Sequence, residues 1–108
     1  MTSKILVCED EYVQRETIAD ILSSAGYEAA MASTGKEALA TLQSDVYDLL
    51  LTDMRMPGMD GLELLRQAKR IRPELEVVVM TAFATVDTAI AAMKEGAIDY
   101  LQKPFDKE

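Results

Sequence analysis

Between Asp48 and Gly61 an unbroken apolar run, Leu49-Leu50-Leu51, stops abruptly at Thr52-Asp53 and passes through Met54-Arg55-Met56 into a Pro57-Gly58 turn. A run this short, bounded by an acid on one side and a turn signal on the other, fits a strand covered on both faces better than an amphipathic helix. Such a strand delivers Asp53 to its carboxyl end, on a rigid element facing a loop. Asp60 then precedes an apolar periodicity, with Glu63 three residues on, which is the signature of a capped helix start. The local plan is strand, acid, turn, capped helix.

Variants of that plan recur along the chain. Ile5-Leu6-Val7-Cys8 ends in the carboxylates Glu9-Asp10-Glu11, and from Tyr12 onward Val13, Ile18, Ile21, Leu22 and Ala25 recur at helical spacing until Gly26 supplies a left-handed stop. Tyr27 to Met31 is a weaker extended stretch, after which Thr34 and Glu37 bracket a second helix start ahead of Ala38, Leu39 and Leu42. Leu62, Leu65, Ala68 and Ile71 mark a third helix, closed at Arg72-Pro73 because proline cannot continue it. Val77 to Met80 is a β-branched run ending at Thr81. Val86, Ala89, Ile90 and Met93 share one face of a fourth helix that Gly96 ends, and Ile98 to Gln102 is a last extended run before Lys103-Pro104. The runs before Thr81 and Lys103 both read as strands buried on two faces. Five strands alternating with helices, with no hairpin signal between them, specify an α/β fold with a parallel sheet.

In an open parallel sheet the carboxyl ends of the strands lie along one edge, where such folds bind ligands. Glu9 and Asp10, Asp53, Thr81 and Lys103 each fall at or just past the end of a different strand, so residues distant in sequence converge. Carboxylates about 5 Å apart repel by roughly 3 to 4 kcal/mol per pair at an effective dielectric near 20, and need a cation or protons. The chain has no histidine and its one cysteine, Cys8, lies inside a strand. Oxygen-only ligands select a hard ion such as Mg²⁺. Asp53 can then act as a nucleophile toward phosphorus, with Lys103 neutralising one phosphoryl oxygen and the Thr81 hydroxyl donating to another. Met54, Met56 and Met59 read as loop packing, since thioethers are poor ligands for hard cations, and Cys8 reads as an inert core thiol.

Composition excludes other classes. Eleven basic against nineteen acidic residues give a net charge of −8, which disfavours nucleic acid or an anionic membrane as direct partner. No long apolar run and no signal peptide are visible, so the cytoplasm is the expected compartment.

Val7-Cys8-Glu9-Asp10-Glu11, the stretch from Asp53 to Gly61, Thr81-Ala82 and Lys103-Pro104 together resemble the receiver domain of two-component response regulators. The resemblance covers residues 1–108 and is strongest to receivers of sigma-54-dependent, NtrC-type transcriptional activators. It implies a flavodoxin-like (CheY-like) three-layer sandwich with a five-stranded parallel sheet of order 2-1-3-4-5. It also implies that Asp53 is the phosphoacceptor, charged from the phosphohistidine of a sensor histidine kinase. Asp10 becomes the direct Mg²⁺ ligand, Glu9 a ligand through water and the Arg55 backbone carbonyl a third, with Asp53 completing the metal set. Thr81 and Tyr100 become a switch pair coupled to the surface of the fourth helix and fifth strand, and Lys103, before a cis Pro104, the phosphoryl-binding lysine. The partners implied are that kinase and a downstream output domain.

Two departures stand out. Glu9 occupies a position where many receivers carry Asp, and the sequence runs to Glu108, before the fifth helix of the family. The expectation is therefore an N-terminal piece of a longer regulator, with that helix truncated or missing and one sheet face incompletely covered, so that it self-associates, as a homodimer for example. A receiver within a hybrid sensor kinase and a stand-alone phosphorelay protein are the alternatives. An aspartyl-nucleophile phosphatase would need a second acid two residues after Asp53, where Arg55 stands. A flavin module of the same strand order would need a glycine-rich phosphate loop where Glu9-Asp10-Glu11 would repel phosphate.

Overall fold

The computed structural model describes residues 3–82 and 85–103. Strands and helices alternate within them: β1 (Lys4–Cys8), α1 (Tyr12–Ser24), β2 (Glu28–Ala32), α2 (Gly35–Ser44), β3 (Leu49–Asp53), α3 (Gly61–Ile71), β4 (Glu76–Thr81), α4 (Val86–Lys94) and β5 (Asp99–Gln102). The strands pair in parallel in the order β2-β1-β3-β4-β5, the order the resemblance implied. The register sets Cys8 beside Thr52, Asp53 beside Met80 and Thr81 beside Gln102, which brings the carboxyl ends of four strands to one edge.

The two-residue period of each strand sorts its side chains between two faces. Leu6, Cys8, Leu50, Val77 and Val79 pack with Leu42, Leu64, Leu65 and Ala68 of α2 and α3. Ile5, Val7, Leu51, Val78 and Met80 form the other cluster, with Ile18 and Leu22 of α1. Among the described residues, α1 is thus the one helix whose side chains enter that second cluster. Beside it runs an apolar groove of about 360 Å³, lined by Val13, Thr17, Ile18, Ile21 and Ala82.

Three features differ from the sequence-based expectation. β4 is buried from Val77 to Thr81, but β5 is not buried on both faces: Asp99, Leu101 and Gln102 are exposed and Tyr100 is half-buried. It is an edge strand with a neighbour on one side, so hydrophobic content alone overstated its burial. In α4 the large apolar residues Val86, Ile90 and Met93 point outward, and Val86 is 75% exposed. The helix seats instead through Ala92, fully buried, with Thr88 half-buried one turn earlier. Small side chains allow the close approach to the sheet that larger ones would block. The helix caps also shift. The Thr34 hydroxyl accepts from the Glu37 N–H at 3.0 Å, while the Glu37 carboxylate reaches back one residue further, to Ser33. Asp60 caps Glu63 at 2.9 Å, but the Glu63 carboxylate turns to Arg66 and Gln67. The reciprocal capping box is at α4, where Thr85 and Thr88 each accept from the other's backbone N–H. The remaining expectation, a cis peptide at Pro104, lies outside the described residues.

Candidate functional site

Backbone pairing carries each site residue to the edge. The Glu9 N–H donates to the Ala32 carbonyl at 3.1 Å, extending the β1–β2 ladder one residue beyond Cys8 and burying the Glu9 side chain to 1% exposure. Asp53 is the last residue of β3, and the next N–H, that of Met54, donates to Met80 at 2.8 Å. Thr81 closes β4, and its carbonyl accepts the Lys103 N–H at 2.7 Å. These bonds fix four chain segments without any side chain taking part.

Their side chains meet in a cleft of about 230 Å³ that Arg55 also lines. One oxygen from each of Glu9, Asp10 and Asp53 lies within 4.8 Å of the others. The Lys103 ammonium stands 3.3 Å from Glu9 Oε2, 3.4 Å from Asp53 Oδ2 and 2.6 Å from Gln14 Oε1. Three clustered carboxylates with one ammonium carry an excess of negative charge, and their hard oxygen donors fit a small divalent cation. The donor set thus suits the implied metal, with Glu9, Asp10 and Asp53 to hold it. Every expected site side chain among the described residues is therefore brought to the cleft except Tyr100, which packs against the cluster formed with α2 and α3, on the sheet face that Val79 and Thr81 share. The Tyr100 hydroxyl shares a short hydrogen bond with Thr88 of α4.

Burial pushes the Glu9 carboxyl up to about 7, the neighbouring Asp53 carboxylate adds to the rise, and Lys103 opposes it. The folded domain thus retains a proton that the unfolded chain gives up near pH 4.5. Stability should accordingly fall as pH rises from about 5 toward 7 and stay at its lower level above that range. No histidine titrates in this window. Urea denaturation in chelator at pH 5.5 and 7.5 should show the loss, and Glu9→Gln should flatten it. A midpoint that rises over the same interval would contradict this account.

Some participants escaped the sequence reading. Gln14 and Arg15, on the first turns of α1, look like solvated helix residues. Yet Gln14 meets Lys103, and the Arg15 guanidinium donates to the Glu9 carbonyl at 2.8 Å. Thr88 showed only as a helix residue; its pairing with Thr85 three residues earlier was the available signal. Cys8 is buried as expected. Burial pushes its thiol up to about 12, and it sits 3.6 Å from the Met56 sulfur, in keeping with packing.

A doubly wound parallel sheet with an acidic cleft at its carboxyl edge, bordered by a hydroxyl and an ammonium, defines a domain suited to seating a cation together with an anionic group. Residues 5–108 match the family model of the response regulator receiver domain, and the chain belongs to that family. It is 45% identical to the DNA-binding transcriptional regulator NtrC of Salmonella typhimurium, covering 94% of this chain and 22% of that protein. It is 43% identical to the transcriptional regulatory protein ZraR of Klebsiella oxytoca, covering 94% and 23%. The chain thus spans less than a quarter of the length of these curated relatives. Among solved structures, a receiver domain from Methanospirillum hungatei superposes with a TM-score of 0.93 at 30% identity, over 99% of this chain and 86% of that one. A response regulator from Burkholderia pseudomallei with a phosphorylated aspartic acid, calcium ion and citrate gives 0.90 at 30% identity, over 97% and 62%. No helix among the described residues is long and apolar enough to cross a membrane.

Proposed function

We propose that this domain accepts a phosphoryl group on Asp53 from the phosphohistidine of a sensor histidine kinase, in a Mg²⁺-dependent reaction. In this reading it then changes the surface of α4 and β5 to control an output domain acting in transcription. The observation that carries the reading is the grouping of the Glu9, Asp10 and Asp53 oxygens within 4.8 Å, with the Lys103 ammonium 3.4 Å from Asp53. The named relatives and the phosphorylated aspartate of the Burkholderia neighbour support it.

An Asp53 oxygen attacks phosphorus, the new P–O bond forms as the N–P bond of the phosphohistidine breaks, and the freed imidazole leaves with a proton. Lys103 moves from its carboxylate partners to a phosphoryl oxygen, so the cleft exchanges one ammonium contact for another. Thr81, buried at the end of β4, donates its hydroxyl to a second oxygen. A divalent cation, when bound, supplies the positive charge that lets an anion approach three carboxylates. Asp10 and Asp53 would hold it, Glu9 through water, with the Arg55 backbone carbonyl as a further donor. Incubation with a small phosphodonor such as acetyl phosphate tests the reading. Mass should increase by one phosphoryl group in Mg²⁺ and not in chelator, and equal labelling in both would defeat it.

The switch follows from two packings. As Thr81 is drawn toward the phosphoryl group, room opens for the Tyr100 ring, which must then release Thr88. Because Thr88 also closes the α4 capping box, the motion reaches the first turn of that helix. Phosphorylation shifts the population between the two arrangements. Thr81→Ala should still be labelled in Mg²⁺ yet lose the amide shift changes between Thr85 and Tyr100. Shifts confined to α1 and α2 in the wild-type domain would refute this coupling.

A further inference from the structure

An ammonium has three N–H donors and no acceptor, and beside paired carboxylates it ordinarily closes to about 2.8 Å. Lys103 does not do so. Its shortest contact, 2.6 Å, is with the neutral Gln14 amide oxygen, while Glu9 and Asp53 stand at 3.3 and 3.4 Å. Charge alone would order these distances the other way. Gln14 lies on α1, 89 residues away in sequence, and lines both the acidic cleft and the adjoining apolar groove. Because Lys103 can only donate, the amide oxygen must face it, which fixes the orientation of the Gln14 side chain.

We infer that Gln14 is a positioning residue that draws the Lys103 ammonium toward α1 and keeps it from closing tightly onto the Glu9 and Asp53 carboxylates, which it meets only at 3.3 to 3.5 Å. This rests on the reading of the cleft as the metal and phosphoryl site. Two consequences follow. The carboxylates remain available to a divalent cation, which would otherwise compete with the ammonium for the same oxygens. Asp53 Oδ2 is likewise held in a loose ion pair at 3.4 Å rather than a tight one, a distance that one small movement of the Lys103 side chain can close or open. Without the amide oxygen, the third donor of Lys103 turns inward and both carboxylates are neutralised more tightly.

The experiment is a Mg²⁺ titration of the domain, followed by amide NMR shifts. The wild type is compared with Gln14→Leu, which keeps the volume and loses the acceptor, and Gln14→Glu, which keeps an acceptor. Leu should weaken Mg²⁺ binding by about twofold to tenfold, the span of one net hydrogen bond, and Glu should restore or exceed wild-type affinity. Both variants are then made in a Lys103→Met background, where the effect of Leu should vanish because Gln14 acts through Lys103. The acetyl phosphate labelling rate should fall with Leu in parallel. Gln14→Ala serves as a second acceptor-free variant should Leu perturb folding. An unchanged Mg²⁺ affinity in both acceptor-free variants, or an equal loss with Met at residue 103, would overturn the inference. A wild-type domain that neither binds Mg²⁺ nor labels would instead overturn the phosphoacceptor reading on which it stands.

Discussion

Asp53→Asn is expected to reduce phosphoryl incorporation from acetyl phosphate at least about a hundredfold while leaving the fold intact and, in chelator, more stable. An amide matches the carboxylate in size but is no nucleophile toward phosphorus, so the loss is chemical and no neighbour can replace it. Glu9 is buried and holds its proton well above the usual carboxylate range, and Asp10 is exposed at the cleft mouth. The stability gain has a separate origin. Two ionised carboxylates within 4.8 Å of each other repel by about 3 kcal/mol or more at an effective dielectric near 20, and once the pH exceeds the Glu9 value of about 7 Asp53 has two carboxylate neighbours against one ammonium. Removing its charge should therefore raise stability by about 1 to 2 kcal/mol, and saturating Mg²⁺ should narrow the difference. Peptide mapping of labelled protein and paired urea titrations measure both effects. Persistent labelling of the variant, or a mass increase mapped to Asp10 or Glu9, would assign the nucleophile elsewhere.

Gly61→Ala should be the most damaging single-methyl change in the domain. A Cβ at Gly61 would lie 2.3 Å from the Asp53 carbonyl oxygen and 2.8 Å from the Met54 Cα, both backbone atoms that no rotamer change can move. The Gly61 N–H also donates to the Met54 carbonyl at 2.8 Å, so the start of α3 is pressed directly against the end of β3. Relief requires either strand end or helix start to shift, at a cost of about 3 kcal/mol or more, a large share of the roughly 5 to 15 kcal/mol that holds a domain together. Gly35→Ala supplies the control. Its Cβ would meet the Met59 sulfur at 2.9 Å, which can rotate away, and the Met59 Cβ at 3.1 Å, which needs a shift of only a few tenths of an ångström, so the cost should stay at about 1 to 2 kcal/mol. Urea midpoints for the two variants should separate widely, and equal shifts would mean the β3–α3 junction is softer than its geometry implies. Because Asp53 sits at that junction, Gly61→Ala should also slow labelling in whatever fraction remains folded.

Most of the site was legible in the sequence because it depends on where strands end. Glu9, Asp53, Thr81 and Lys103 each interrupt or follow an apolar run, and parallel pairing brings such ends together whatever the side chains do later. Helix boundaries were readable for a similar local reason: Gly26 and Gly96 adopt φ of +98° and +109° after α1 and α4, and Asp60 caps α3. These signals lie within a few residues of the structure they specify.

Tertiary structure alone decided which way the elements faced and which distant side chains met. Val86, Ile90 and Met93 form a convincing apolar stripe, yet they stay exposed and α4 rests on Ala92, which is fully buried. β5 reads like β4 in composition but has a strand on one side only, and edge position is a property of sheet order. The contacts of Gln14 with Lys103 and of Thr88 with Tyr100 join polar residues in the first turns of α1 and α4 to residues of the last strand and its end, 89 and 12 positions away. Neither pairing leaves a periodic trace, since a hydrogen bond across a cleft depends on rotamer and helix placement. The chain itself determined the sheet, its edge and the charges gathered there; packing determined where Lys103 rests at that edge and where Tyr100 rests against α4, because only it sets the distances over which their hydrogen bonds form.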